Sequence, residues 1–461
     1  VNQSKLKPNQ MKTKNIFIMS LALFLSAGCE GMLDDKPNKS IVVPSTLQDL
    51  RSLMDNHNTI NTSPPALIMA TDEFITTDQG FNSYIQWQQR AYTFQRILLE
   101  ADDFLVDWWQ PYQQVLTANI ALEQIQKIER SPTNSGEWDE VYGSALFLKA
   151  WAYYGLVSTF AEPYSVISGP SAALGIAPKY TSNINEKVSR LTLEESYGMI
   201  LDLLGSSIEF LPETVSVKTR PSKAAGHSLL SRIYLAISDY EKALIHADQA
   251  LGFSDVLMDY NALDGIQLYS FPLFNEEVIY YAVLSNTNIT SSQLTYVEPG
   301  LLASYSSNDL RKSLFFKRGV NDLRNFFGSY SGSNLMFSGL STNELLLTKA
   351  ECEARRNNFS LAAEVLDGLL QKRYVTGTFE MPEISNENLL SYILDEREKE
   401  LVFRGIRWTD LRRLNKEPGF EKTLTRTVNG ETYNLLPNDP RWVYEIPHVE
   451  IALSNIQQNQ R

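Results

Sequence analysis

From Asp103 onward, the apolar residues of this 461-residue chain recur at three- and four-residue steps, a period that restricts the fold to packed helices. Trp108, Tyr112, Val115, Leu116, Asn119, Leu122, Ile125 and Ile128 fall mostly on one face of a long helix, which Ser131-Pro132 stops because proline cannot continue it. A second helix, dense in alanine and aromatic residues, is expected from about Trp138 to Phe160. Short connections between long amphipathic helices predict antiparallel hairpins.

A later hairpin carries a repeat pattern. Within Ser222 to Leu251, the residues Leu230, Ser231, Tyr234, Ala243, Ala247 and Ala250 keep the relative spacing of a tetratricopeptide repeat, with Ser238-Asp239-Tyr240 as its turn. In such a unit small residues let paired helices approach and large ones fill the groove. A looser copy follows near Ala350, with Asn357-Asn358-Phe359 as the turn. Residues 254–340 lose the helical period, and Val278 to Val283 reads as a strand from its β-branched and aromatic content. Ser291–Pro299 and Gly319–Gly339 are loops rich in Ser, Asn and Gly, yet they hold Tyr296, Phe326, Phe327 and Tyr330. Long loops inside a compact chain are more often functional than accidental, so these form a candidate ligand surface. The expected architecture is mostly α, with tetratricopeptide-like helical hairpins and a loop-rich, ligand-binding side carrying a few short strands. Helical repeats at 104–253 and 341–413 interweave with a loop-rich part at 29–103. An insertion at 254–340 and a tail at 414–461 complete the chain.

The beginning of the sequence has a different character. Met11-Lys12-Thr13-Lys14 is a short basic start, Ile16 to Leu25 is apolar, and Ser26-Ala27-Gly28 are small. This is the pattern of a secretory signal peptide. Its apolar run is too short to span a bilayer core of ~30 Å. Leu25 followed by small residues and Cys29 is similar to a bacterial lipobox, in which the thiol is acylated and becomes the new N-terminus. Residues 1–10 match neither part and read as upstream of the start, so residues 1–28 are expected to be removed. The formal charge is −13, and Lys5, Lys7, Lys12 and Lys14 would leave with the leader. So acidic a surface repels nucleic acid and anionic headgroups, which leaves acyl chains as the means of membrane attachment. With Cys29 lipidated, Cys352 has no disulfide partner and is expected to be a small core residue of a helix. The four histidines are scattered, none in a metal-ligand spacing, and no cofactor or metal is implied.

Seven local patterns, in chain order, carry a resemblance. They are the lipobox with Met32-Leu33-Asp34-Asp35-Lys36-Pro37; Trp109-Gln-Pro-Tyr112 through Asn119; the repeat at Ala224 to Leu251; and Phe274-Asn275-Glu276-Glu277-Val278-Ile279. Next come Tyr305, Asp309 and Arg311, then the run from Glu396-Arg397 through Glu400-Leu401-Val402-Phe403-Arg404-Gly405-Ile406-Arg407-Trp408-Thr409-Asp410-Leu411 to Arg413, and last Tyr444-Glu-Ile446-Pro447 through Glu450. Together these resemble the SusD/RagB family of outer-membrane nutrient-uptake lipoproteins. Arg404 stands where that family usually has glutamate, Thr409 where an aromatic is common, and the tail lacks the family's asparagine-proline-glycine-aromatic finish.

The Glu396–Arg413 run reads as structural. Arg407, Asp410 and Arg413 lie three apart and can pair along one helix face. Gly405 allows a backbone geometry or close approach denied to other residues, and Phe403 and Trp408 are core anchors. Among the motifs sought there is no catalytic one, and the acid pairs Asp102-Asp103, Asp139-Glu140, Glu194-Glu195 and Glu276-Glu277 read as solvated faces. Binding without chemistry is the better reading. Sugar rings present apolar C–H faces to flat aromatic side chains, while amides and charged groups fix hydroxyls. Phe81, Tyr84, Trp87 and Arg90 offer that mix in one segment, and Tyr296 is a second choice. The competing reading has Trp87 packed under the first long helix, and Trp108 and Trp109 are assigned to the helix core. The resemblance implies capture of an oligosaccharide or polysaccharide at the cell surface. The ligand would pass to a SusC-like TonB-dependent transporter in the outer membrane, with the repeats as the docking face. A peptide in the same role is the alternative, and a surface glycan-active enzyme or a repeat-only scaffold a more distant one.

Overall fold

The two expected long helices form where the period places them. The structure, a computed structural model, describes residues 44–461 apart from 170, 318 and 320; the leader, Cys29 and Met32–Pro37 lie outside the described residues. We label the helices of eight residues or more. Helix α1 (Leu47–Met54) opens with a capping box in which Thr46 and Asp49 satisfy each other's backbone amides. Helices α2 (Val106–Ile125) and α3 (Ser135–Phe160) pack as an antiparallel pair, and α4 (Leu193–Phe210), opened by a second capping box of Thr192 and Glu195, lies against α3. From Gly143 to Phe160 every residue of α3 is buried, as befits a helix apolar on all sides. At Gly143 a Cβ would stand 3.1 Å from the Leu211 amide and the Phe210 side chain, so glycine sets the approach of α3 to the end of α4.

The repeat pattern becomes two stacked hairpins. Helices α5 (Lys223–Ala236) and α6 (Tyr240–Phe253) turn at Ser238, and α7 (Thr342–Arg355) and α8 (Phe359–Gln371) turn at Asn357, each with φ of 62°. Ala243, Ala247 and Ala250 are fully buried, and Ser231 Oγ donates to Ala243 O at 2.9 Å, which closes the first hairpin. Helix α6 packs on α7, with Cys352 sealed between them beside Leu235, Ala243 and Leu244. Burial pushes its thiol well up, so it acts as a small apolar filler. Helices α9 (Asn386–Glu400) and α10 (Arg407–Leu414) follow. They are joined through Phe403 and Gly405, both at positive φ. A Cβ on Gly405 would meet Leu284 at 3.0 Å.

The strands are short and paired in twos. Parallel β1 (Thr62–Ser63) and β4 (Val283–Leu284), antiparallel β2 (Phe74–Thr76) and β5 (Thr295–Val297), β3 (Val278–Tyr280) and β8 (Leu340–Ser341), and β6 (Phe316–Lys317) and β7 (Asn325–Phe326) surround the core. The expected strand from Val278 to Val283 is thus two strands with different partners. A hairpin of β9 (Leu424–Val428) and β10 (Glu431–Leu435) turns at Asn429-Gly430, both at positive φ, the geometry that asparagine-glycine supplies. Residues 45–461 form one compact unit, and none of its helices is long and apolar enough to cross a membrane.

Three of the resemblance motifs meet in one buried ionic cluster. Arg311 bonds Asp309 (2.8 Å), Glu396 (2.7 Å) and Glu400 (3.2 Å), and Arg373 bonds Glu400 (2.8 Å) and Glu277 (2.7 Å). Arg373 also lies 3.9 Å over the Tyr260 ring. A neighbouring cluster joins Arg397, Asp410, Arg413 and Glu351. Arg413 pairs with Asp410 along α10 as expected, but Arg407 turns away to Asp72 (2.8 Å) and Glu398 (2.8 Å). Phe403 and Trp408 are buried anchors, the latter with Nε1 on Ser158 O at 3.1 Å.

Candidate ligand-binding site

The loops that keep their aromatics enclose a cavity of about 490 Å³. Its frame is local and explicable. Thr287 and Thr290 form a capping box that starts the short helix Asn288–Ser291. Strand β5 leaves that helix in register with β2, Tyr296 opposite Ile75. Asn325 then stitches the far side, its Nδ2 donating to Gln293 O (2.9 Å) and Thr295 O (2.8 Å), while Val297 N donates to Arg324 O (2.9 Å).

Rings and uncharged polar groups line this space. Tyr296 and Phe326 sit at the wall, Phe326 stacked on Phe403 at 4.8 Å, and half-buried Tyr269 and Phe327 face each other at 5.8 Å. Gln293, Asn325 and Asn334 supply amides, and several serines supply hydroxyls. Among the described residues no Asp, Glu, Lys or Arg lines it. Tyr330, named with these rings from the sequence, is instead fully buried, its hydroxyl on Glu277 at 2.7 Å. Tyr269 escaped sequence reading because a lone tyrosine between Leu268 and Ser270 carries no pattern.

The segment chosen for its mix of rings and amides is placed differently. Tyr84 and Trp87 are 3% and 4% exposed and belong to the main core. Phe81 is half-buried with its ring 5.9 Å from that of Tyr92. Arg90 donates Nε to Leu98 O at 2.7 Å and pairs with Asp103. A ligand could stack on Trp87 only if this segment opened. The segment nevertheless reaches the cavity, because Tyr84 Oη meets Thr295 Oγ1, next to Tyr296. Tyr296 itself is 3% exposed, a ring set into the cavity wall.

Two other concavities differ in chemistry. One of about 600 Å³ is lined by Asp72, Glu298, Asp395, Glu398, Lys422 and Arg426 among others. Burial alone would raise the Asp72 carboxyl, but Arg407 and Lys422 hold it well below the usual range, so its charge is already spent on ion pairs. The other, about 1070 Å³, runs along α2 and includes Trp109, which is 37% exposed, beside Ile184 and Leu453. Trp108 is core as expected, whereas Trp109 is not. One residue on, about 100° round the helix, its ring packs 5.7 Å from that of exposed Phe104. The acid pairs serve structure: Glu277 holds Arg373, Asp139 holds Arg130, Glu140 holds Arg51, and Glu195 caps α4. Among the described residues no group of three or more His, Cys, Asp or Glu side chains is placed to hold a metal.

Helical hairpins with a loop-rich side carrying a few short strands are the architecture that the resemblance implied. Residues 32–235 match the model of SusD-like proteins described as starch-binding and associating with the outer membrane, and residues 340–457 match that of the SusD family. The chain belongs to the SusD/RagB family. A curated relative, SusD-like protein P2 of Formosa agariphila, is 30% identical over 137 residues, which is 30% of this chain and 25% of the relative; the chain thus aligns with a quarter of that protein's length. A SusD superfamily protein of Bacteroides thetaiotaomicron superposes with a TM-score of 0.72 at 18% identity, over 90% of this chain and 100% of the other. A laminarin-binding SusD-like protein superposes with a TM-score of 0.62 at 16% identity, over 89% and 97%. These likenesses extend the fold across nearly all of residues 44–461.

Proposed function

We propose that the protein captures a neutral oligosaccharide or polysaccharide in the cavity between Tyr269, Tyr296, Phe326 and Phe327. The gathering of four aromatic rings with the amides of Gln293, Asn325 and Asn334 around one cavity carries this reading. Sugars present flat apolar faces and neutral hydroxyls, which rings and amides match. The laminarin-binding relative supports a glycan as the ligand class. In this reading Phe81, Tyr84, Trp87 and Arg90 hold the wall behind β5 rather than touch the ligand. The family's outer-membrane association, the lipobox at Cys29 and the acidic charge support a lipid-anchored, surface-exposed position. There the protein would deliver its ligand to a SusC-like transporter, with the stacked hairpins as the docking face.

The test is affinity electrophoresis and calorimetry with a panel of neutral glucans and other polysaccharides, using the protein from Glu30 onward. Tyr269→Ala and Phe327→Ala are each expected to weaken binding about tenfold or more, equivalent to about 1.4 kcal/mol. Binding of a peptide, with none of any glycan, would refute the reading.

A further inference from the structure

The groove of about 1070 Å³ along α2 shares no lining residue with the ligand cavity. Its walls come from three parts of the chain. Trp109, Gln113 and Leu116 follow at four- and three-residue steps, which puts them on one face of α2. The loop 177–188 forms another wall and is pinned at several points. Tyr112 Oη donates to Ala177 O (2.9 Å), Asn119 Nδ2 to Thr181 O (2.8 Å), and the Ser182 amide to Glu123 Oε1 (2.6 Å). The short helix His448–Ser454 and Asn455, which ends it at φ 55°, supply the third side.

This groove holds hydrogen-bonding groups that the fold leaves unused. Trp108 is 7% exposed, and its Nε1–H, not itself sealed from solvent, has no acceptor among the described residues. The Trp109 indole and the side-chain amides of Gln113, Asn185 and Asn455 are likewise without partners among the described residues. Trp109 is 37% exposed and Phe104 beside it 66%, so ring surface stands open next to these groups. The charged side chains of the lining, Lys179, Lys187, Glu186 and Glu450, balance, so no net charge selects an ionic ligand.

An apolar anchor of a protein partner, seated against Trp108, would shut its indole N–H away from water with nothing to accept from it, which is costly. A sugar avoids that cost. Its hydroxyls accept from indole N–H groups and both donate to and accept from amides, while its C–H faces cover the rings.

We propose that the groove along α2 is a second saccharide site, in which the Trp109 ring stacks on a sugar and Trp108 Nε1, Gln113, Asn185 and Asn455 bond sugar hydroxyls. This inference rests on the reading of the protein as a glycan binder, and it gives the protein two separate holds on a polysaccharide.

Calorimetry with hexasaccharides cut from laminarin, amylose, cellulose and xylan, using the protein from Glu30 onward, tests the two sites apart. Wild type is expected to bind two molecules of a recognised hexasaccharide. Trp109→Ala should remove one of them, weakening it about tenfold or more, and Tyr269→Ala should remove the other. Trp109→Phe, which keeps a ring, should recover part of the lost affinity. Replacing an exposed ring should leave the circular dichroism of Trp109→Ala unchanged. Saccharide binding indifferent to Trp109→Ala overturns the groove site, and if Tyr269→Ala then abolishes it, the ligand cavity stands. Binding lost in Trp109→Ala but kept in Tyr269→Ala upholds the groove and overturns the cavity. Binding of none of the four hexasaccharides overturns both.

Discussion

Tyr84 Oη lies 2.9 Å from Thr295 Oγ1, whose own proton goes to Ile289 O at 2.7 Å, so the phenol is the donor of the first bond. This relay ties the 81–90 segment to β5 beside Tyr296. Tyr84→Phe removes the donor and leaves the Thr295–Ile289 bond intact. The expected cost is about 1 kcal/mol of stability by denaturant unfolding. Glycan affinity should fall by less than about threefold, equivalent to about 0.7 kcal/mol. A large affinity loss with unchanged stability would instead make Tyr84 a ligand contact.

Trp87 gives the complementary case. It is 4% exposed within the main core, so Trp87→Ala should cost about 3–5 kcal/mol. Any binding defect of that variant should track its unfolded fraction by circular dichroism. Normal stability with lost binding would return Trp87 to the site.

Glu73 predicts a pH dependence. Its carboxylate accepts from Phe403 N (2.7 Å) and Thr71 Oγ1 (2.9 Å), and burial, opposed by the Phe403 amide and reinforced by Asp72, pushes it up to about 8. The native state therefore holds a proton that the unfolded chain releases near 4.5. This contribution is complete below 4.5 and fades as pH rises toward 8, with a slope of at most about 1.4 kcal/mol per pH unit. Glu73→Gln, which cannot ionise, should flatten the stability profile in that window.

The helices were legible because burial imposes a period on sequence: α3 and the turns at Ser238-Asp239 and Asn357-Asn358 all fall where spacing and turn residues place them. The loops at 291–299 and 319–339 were recognisable by excess aromatics, and the structure gathers Tyr296, Phe326 and Phe327 around one cavity. Composition alone could not tell a presented ring from a buried one. Trp87 with its amide neighbours looked like a platform and is core, while Trp109 followed a core residue and is exposed. The partners of Arg311 and Arg373 were hidden for another reason. Ion pairs such as Arg373–Glu277 join residues 96 apart, and no local pattern records that separation.

His227 and His246 form an Nδ1···Nδ1 contact of 3.1 Å, with ring centroids 5.3 Å apart and planes within 21°. The rings therefore meet nearly edge to edge, and one Nδ1–H donates to the other Nδ1. Burial first, then the charges of His246 and Lys223, lowers His227 to about 4. The unfolded chain takes up this proton from 6.5 downward, so stability from this pair is full above 6.5 and declines as pH falls toward 4. In His227→Gln the decline over that window should be shallower in thermal melts, opposite in sign to the effect of Glu73.

The cluster around Glu400 predicts strong coupling rather than a single strong bond. Glu400 Oε1 accepts from Arg373 Nε (2.8 Å) and Asn343 Nδ2 (2.7 Å), and its Oε2 accepts from Arg311 Nη1 (3.2 Å). Arg373→Met deprives Glu277 and Glu400 of a shared cation at full burial and is expected to cost about 3–5 kcal/mol. Glu277 Oε1 accepts from the Met258 amide (2.9 Å) and Oε2 from the Tyr330 hydroxyl (2.7 Å), so a neutral glutamine there would keep its one carbonyl for the amide and turn its NH2 to the Tyr330 oxygen, which can donate to Tyr260 Oη instead. Adding Glu277→Gln to Arg373→Met therefore removes an uncompensated charge at little further loss of bonding. The double variant should be more stable than the sum of the single losses by about 0.5–3 kcal/mol in urea unfolding. Strict additivity would mean that the two side chains act independently, and that the shared geometry of these motifs is not what holds α9 to the loop-rich side.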